Sequence, residues 1–187
     1  MTFRARSLAA AAILFVGLSA PASAEIEKFM NMCDGKLCAS FRASITVPEG
    51  WVEDKEASRE LGVQMLLPKG KGFDEAPAKI YAMVRYNREK KAVVTFVPPQ
   101  IKEWRGLAKD AKIEKLPDLP RTDGKTVYLR HKFQAPSLKE QAYEQVALTS
   151  DGDKDGNAFV VVIMLSSDTR KDFEAAREAY EAVLAKY

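Results

Sequence analysis

A continuous apolar run near the end of the chain restricts the fold more than any other segment does. Residues 159–165 read Phe-Val-Val-Val-Ile-Met-Leu and contain no polar position. A strand with one face in water alternates apolar and polar residues, whereas a strand covered on both faces does not. The run therefore predicts a central strand in a sheet that carries other structure on both faces.

The segments around this run predict the rest of the sheet. Residues 142–150 form another strand pattern, and Asp-Gly-Asp-Lys-Asp-Gly-Asn at 151–157 is typical of the turn of a hairpin that joins the two. Further strands are predicted, from alternating or apolar patterns, at 41–47, 63–67, 80–86, 112–116 and 127–133.

Two helical patterns predict the helices that cover the sheet. Pro98 and Pro99 precede a short amphipathic pattern at 99–109, and proline is well placed in a first helical turn. Thr169 begins a capping pattern ahead of the last segment. The apolar stripe of that last helix consists of Phe173, Ala176, Tyr180, Val183 and Tyr187. The prediction is a single α+β domain over residues 25–187, an antiparallel sheet with helices on its faces (an α/β/α sandwich).

The first 24 residues have the pattern of a cleavable secretory signal peptide. Arg4 and Arg6 precede an uncharged apolar stretch at 8–18, and Ala22-Ser23-Ala24 provides the small residues that a signal peptidase recognises. That stretch is far shorter than the roughly 20 residues a membrane-spanning helix needs. We therefore expect a protein exported to the periplasm or secreted, with 1–24 removed and no membrane span left.

Outside the signal segment the charges nearly balance. The chain has 29 Lys and Arg residues and 26 Asp and Glu residues, and two of the arginines belong to the signal segment, which leaves a net charge of about +1. Nucleic-acid-binding proteins need basic residues in excess and clustered on one face. The composition predicts no nucleic-acid partner.

The two cysteines lie close together in a segment that is expected to start as a helical turn. Cys33 and Cys38 occur in Cys-Asp-Gly-Lys-Leu-Cys, and in an oxidising compartment such a pair favours a disulfide that closes the N-terminal segment 25–40. A copper site is the alternative, because Met30 and Met32 would add thioethers to the cysteine thiolates, ligands that suit Cu(I).

The turn at 151–157 resembles the first half of a calcium loop. Carboxylates occupy its first, third and fifth positions and glycine its sixth, but the twelfth is Val162 where a calcium loop has a bidentate Glu. A weak calcium site is therefore an alternative to a plain hairpin turn, and apart from these two metal alternatives no cofactor is predicted. Its ligands would be Asp151, Asp153, Asp155 and Asn157.

No known catalytic motif is present in the sequence. His131 is the only histidine, and it shares a predicted strand face with Leu129 and Phe133, which is typical of a structural histidine. The sequence has neither the G-x-S-x-G nor the P-loop pattern. We predict a non-catalytic accessory protein that binds a protein partner or a small ligand, with a metal-binding protein as the alternative. The predicted interaction surface, chosen because Arg and aromatic residues often anchor interfaces, is Arg85, Tyr86, Arg88 and Trp104.

The segment Ile-Thr-Val-Pro-Glu-Gly-Trp at 45–51 resembles the strand and Pro-x-Gly-Trp opening of PsbP-like domains, a group that includes periplasmic DcrB-type proteins. The ending is similar too, with an apolar strand, Ser166-Ser167 and a final amphipathic helix. The resemblance covers roughly residues 40–187. It implies an antiparallel sheet with helices on its faces and an accessory or interaction role, and it assigns no functional residue.

Overall fold

A computed structural model describes residues 26–33 and 35–187, with the backbone alone at 31–33. The predicted signal peptide lies outside the described residues. The strands are β1 (Ile26–Cys33), β2 (Lys36–Ala43), β3 (Trp51–Glu53), β4 (Gln64–Pro68), β5 (Ala78–Tyr86), β6 (Lys112–Pro120), β7 (Val127–Gln134), β8 (Tyr143–Gly152) and β9 (Ala158–Ser167). The helices are α1 (Lys55–Leu61), α2 (Val97–Leu107) and α3 (Arg170–Lys186), and a short 3-10 turn at Val93–Phe96 leads into α2.

Seven strands form one antiparallel sheet in the order β3-β4-β5-β9-β8-β7-β6, and β1 and β2 form a separate hairpin. The predicted α+β class is confirmed. β9 lies between β5 and β8 and is buried from Phe159 to Ser167. Its alternate residues pack into different clusters, Val160 and Val162 on one face and Val161 and Ile163 on the other. The apolar run is therefore the central strand, as its composition predicts.

Helix α3 covers one face of the sheet. The Thr169 hydroxyl accepts a hydrogen bond from the backbone N–H of Asp172 at 3.1 Å, so the predicted cap is present. Phe173 and Tyr180 are fully buried against this face, and the Tyr180 hydroxyl donates to the Ile163 carbonyl at 3.0 Å. We call this side of the sheet the α3 face.

The opposite side, the α2 face, is covered by two helices. α2 packs through Val97 and Trp104 against residues of β7, β8 and β9, while α1 contributes Ala57 to a smaller cluster over β4. Tyr81 and Met83 of β5 touch both clusters. The middle of this face is therefore where the two covering layers meet.

The N-terminal segment differs from its prediction. Residues 26–32 belong to a strand where a helical turn was expected, and the strand predicted at 41–47 ends at Ala43 and begins at Lys36. β1 and β2 pair with each other along their whole length, from Ile26 opposite Ala43 to Cys33 opposite Lys36. Each strand thus provides hydrogen-bond partners for the backbone groups of the other. The sequence pattern of either segment alone does not reveal this pairing.

Candidate functional site

A pocket of about 360 Å³ lies beside α2 on the α2 face. This is the lower part of the range of small-molecule sites, about 300–1,000 Å³. β5, β8 and β9 form its floor, α2 forms one wall, and the loop between β7 and β8 forms another. We call it the α2 pocket, and its central residues are Tyr81, Met83, Trp104, Leu138, Glu144 and Met164.

Glu144 is a buried acid in this pocket. Its residue is 4% exposed, and its Oε2 accepts a hydrogen bond from Trp104 Nε1 at 3.0 Å. Burial raises the pKa of Glu144 to about 7, against the lowering effect of the Trp104 N–H, and the charge of Glu103 raises it further. The carboxyl group therefore changes its charge near neutral pH, which is a property typical of functional sites.

The indole N–H of Trp104, which donates to that carboxyl group, is held in place by the packing of the ring. Its ring stacks on Phe133, with centroids 5.0 Å apart and planes 20° apart, and its residue is 5% exposed. The prediction that Trp104 belongs to an exposed interaction surface is therefore wrong. The helical spacing of Ile101 and Trp104 already indicated an inward face of α2.

Tyr81 is the second polar group on the floor. It pairs in the sheet with Met164, which in turn pairs with Val146, so it lies on the same face as Glu144. Burial, assisted by the charge of Glu144, holds the pKa of Tyr81 well above its usual range. The hydroxyl stays protonated at physiological pH. Among the described residues, none forms a hydrogen bond with it.

The other predicted surface residues line a neighbouring groove of about 520 Å³. Arg85, Tyr86 and Arg88 lie together in this groove, which we call the basic groove, with Phe96 and Pro99. Tyr86 is 51% exposed and packs its ring on Phe41 and Phe159. Arg85 lines both the basic groove and the α2 pocket, so the two cavities are adjacent.

The Asp-rich turn uses its carboxylates within the protein. Asp151 Oδ2 accepts from the Tyr187 hydroxyl at 2.9 Å. Asp153 Oδ1 accepts from the backbone N–H groups of Asp155 and Asn157 at 3.0 and 2.9 Å. In the part of the chain that the structure describes, no three His, Cys, Asp or Glu side chains form a cluster able to hold a metal ion. The geometry favours a hairpin turn closed by side-chain hydrogen bonds.

The strand register separates the ligands of the predicted copper site. Cys38 lies opposite Asn31, while Met30 lies opposite Ala39. Paired residues share a face and neighbours alternate, so Met30 and Cys38 occupy opposite faces of the hairpin. The same register places Cys33 and Cys38 on one face, which is compatible with the disulfide. That disulfide stays a prediction, because the Cys33 side chain is outside the described residues.

His131 is buried beside the site but does not line it. It is 6% exposed and stacks on Phe133 with centroids 6.3 Å apart. Its Nδ1 has no hydrogen-bond partner, and burial, with the charge of Lys115, lowers its pKa. A neutral histidine packed on an aromatic ring agrees with the structural role expected of it.

No protein-family model matches the chain, and no curated protein is similar to it in sequence. Of the helices in the described residues, none is long and apolar enough to cross a membrane.

Proposed function

We propose that this chain is a non-catalytic, exported accessory protein that binds a small ligand in the α2 pocket. One observation carries the proposal: two polar groups on the pocket floor, Glu144 Oε1 and the Tyr81 hydroxyl, have no hydrogen-bond partner in the described part of the chain. Small-molecule sites combine apolar walls with a few polar groups that fix the ligand. Met83, Leu138 and Met164 supply such walls here.

The composition of the pocket lining supports a binding role rather than catalysis. Among the described residues that line it, none is a serine, threonine, cysteine, histidine or lysine. Those residue types supply most nucleophiles and general bases of enzymes. The described lining therefore offers no Ser-His, Cys-His or lysine nucleophile of the kind that covalent catalysis commonly uses.

Export and family membership are parts of the same proposal. The signal pattern at 1–24 supports a periplasmic location. An antiparallel sheet with helices on its faces is what a PsbP-like domain is expected to have, and the sheet of this chain, covered on both faces, supports the resemblance of residues 40–187 to that group.

A second candidate function is docking of an acidic protein partner in the basic groove. Arg85 and Arg88 are exposed there, next to the exposed ring of Tyr86. Arg and Tyr are frequent anchors of protein interfaces. This surface lies next to the α2 pocket, so both functions can exist in one protein.

Native mass spectrometry of the protein purified from its own periplasm tests the first proposal. We expect an added mass that corresponds to a small organic molecule. Leu138→Trp, which fills the α2 pocket, is expected to remove that mass. The control Leu61→Trp, at an exposed position of α1 outside the pocket, is expected to keep it.

A bare mass, or an organic adduct that both variants retain, would count against the α2 pocket as a ligand site. An adduct of protein size that Arg88→Glu removes would favour the basic groove instead.

A further inference from the structure

We infer that the ligand of the α2 pocket is a small protonated amine with an apolar body, and that Glu144 binds its ammonium group. This inference rests on the proposed function and names the class of ligand for the same site. Three observations support it: the charges around the pocket, the Glu144 oxygen that has no hydrogen-bond partner in the described part of the chain, and the apolar walls.

The pocket lining carries more negative than positive charge. Glu103, Glu140 and Glu144 contribute three carboxyl groups, and Arg85 is the single basic residue among the described residues that line it. Arg85 is exposed and also lines the basic groove. A cavity with an excess of carboxylates attracts cations and disfavours anions.

The floor of the pocket offers the contacts that an ammonium group needs. Trp104 occupies Oε2 of Glu144, and Oε1 receives no hydrogen bond from the described part of the chain. An ammonium group has three donors and no acceptor. It can donate to Oε1, and it compensates a carboxylate that is otherwise buried without a cation. The phenol oxygen of Tyr81 is a further acceptor on the same pocket floor. A neutral ligand leaves that charge uncompensated.

The charge state of Glu144 makes the binding depend on pH. Burial holds its pKa at about 7. The other charged or titratable groups that line the pocket are Glu103 on α2, Glu140 on the loop, and Tyr81 and Arg85 on β5. An amine needs the ionised carboxylate, so its affinity is expected to fall below the pKa of Glu144 by about tenfold for each pH unit.

Three probes with the same phenyl group, the same two-carbon linker and different head groups test the inference: phenethylamine, 2-phenylethanol and 3-phenylpropionate. Binding is followed by calorimetry and by the fluorescence of Trp104 in a Trp51→Phe background, where it is the only tryptophan. Above the pKa of Glu144, the amine is expected to bind at least about tenfold more tightly than the alcohol, the lower end of what close charge pairs contribute. The propionate is expected to bind most weakly.

Glu144→Gln is expected to remove both the preference for the amine and its pH dependence. Glu178→Gln, at an exposed position of α3 outside the pocket, is the matched control and is expected to keep both. Equal binding of amine and alcohol, unchanged in Glu144→Gln, would overturn the ligand class and leave the pocket as a binding site. Tighter binding of the propionate would do the same. No saturable binding of any probe at millimolar concentration would count against the ligand class and the proposed function together.

Discussion

Replacing Trp104 with alanine is expected to lower the free energy of unfolding by about 3–5 kcal/mol, the usual cost of truncating a large buried aromatic residue. The indole is buried between α2 and the sheet and stacks on Phe133. Alanine would remove that contact and leave Glu144 without its hydrogen-bond donor. Urea unfolding at fixed pH measures the change.

Trp104→Phe separates the loss of packing from the loss of the hydrogen bond to Glu144. Phenylalanine keeps most of the apolar contact with Phe133 but cannot donate to Glu144, so we expect a cost of about 1–3 kcal/mol, that of a buried group left without its partner. The pKa of Glu144 is expected to rise in this variant, because the Trp104 N–H lowers it. A cost near zero for both variants would contradict the packing described for α2.

The stability of the protein is expected to fall as the pH rises from about 4.5 to about 7. Burial raises the pKa of Glu144 from 4.5 to about 7, so between these values the folded protein keeps a proton that the unfolded chain releases. Rising pH then favours the unfolded chain. At about 1.4 kcal/mol for each pKa unit, the loss attributable to Glu144 is about 3 kcal/mol.

Unfolding free energies measured across this pH range check the expectation. Glu144→Gln keeps the shape of the side chain without the titration, so its stability is expected to lack this decline. Glu140→Gln changes the same residue type at an exposed position and is expected to retain it. A decline of equal size in Glu144→Gln would show that another group causes the effect.

The parts of the fold that local patterns describe were predictable. The apolar run of β9 indicates burial on both faces, and the stripe from Phe173 to Tyr187 indicates a helix with one buried side. Each pattern lies within one element, so its periodicity reports the environment directly. Helix α1 was missed although Asp54 caps it and Gly62 ends it, because seven residues give only two turns of periodicity.

The pocket depends on contacts between distant parts of the chain. Trp104 and Glu144 are 40 residues apart in sequence and meet only when α2 packs on β8. Glu144 stands at the start of a strand pattern, where an acidic residue is ordinarily solvated. Nothing in its neighbours marks it as buried. The pairing of β1 with β2 likewise depends on two segments together. Residues 26–32 taken alone do not show their partner strand, and for this reason they were predicted as a helical turn.

Titration of the Glu144 carboxyl carbon by NMR, with and without saturating phenethylamine, shows whether Glu144 is a buried acid that binds an ammonium group. The signal is assigned by its absence in Glu144→Gln. We expect a midpoint at about pH 7 in the free protein and a lower midpoint in the complex, because a bound ammonium group stabilises the carboxylate. A midpoint near the ordinary glutamate value of about 4.3, unchanged by the amine, would contradict both the buried acid and its role in binding.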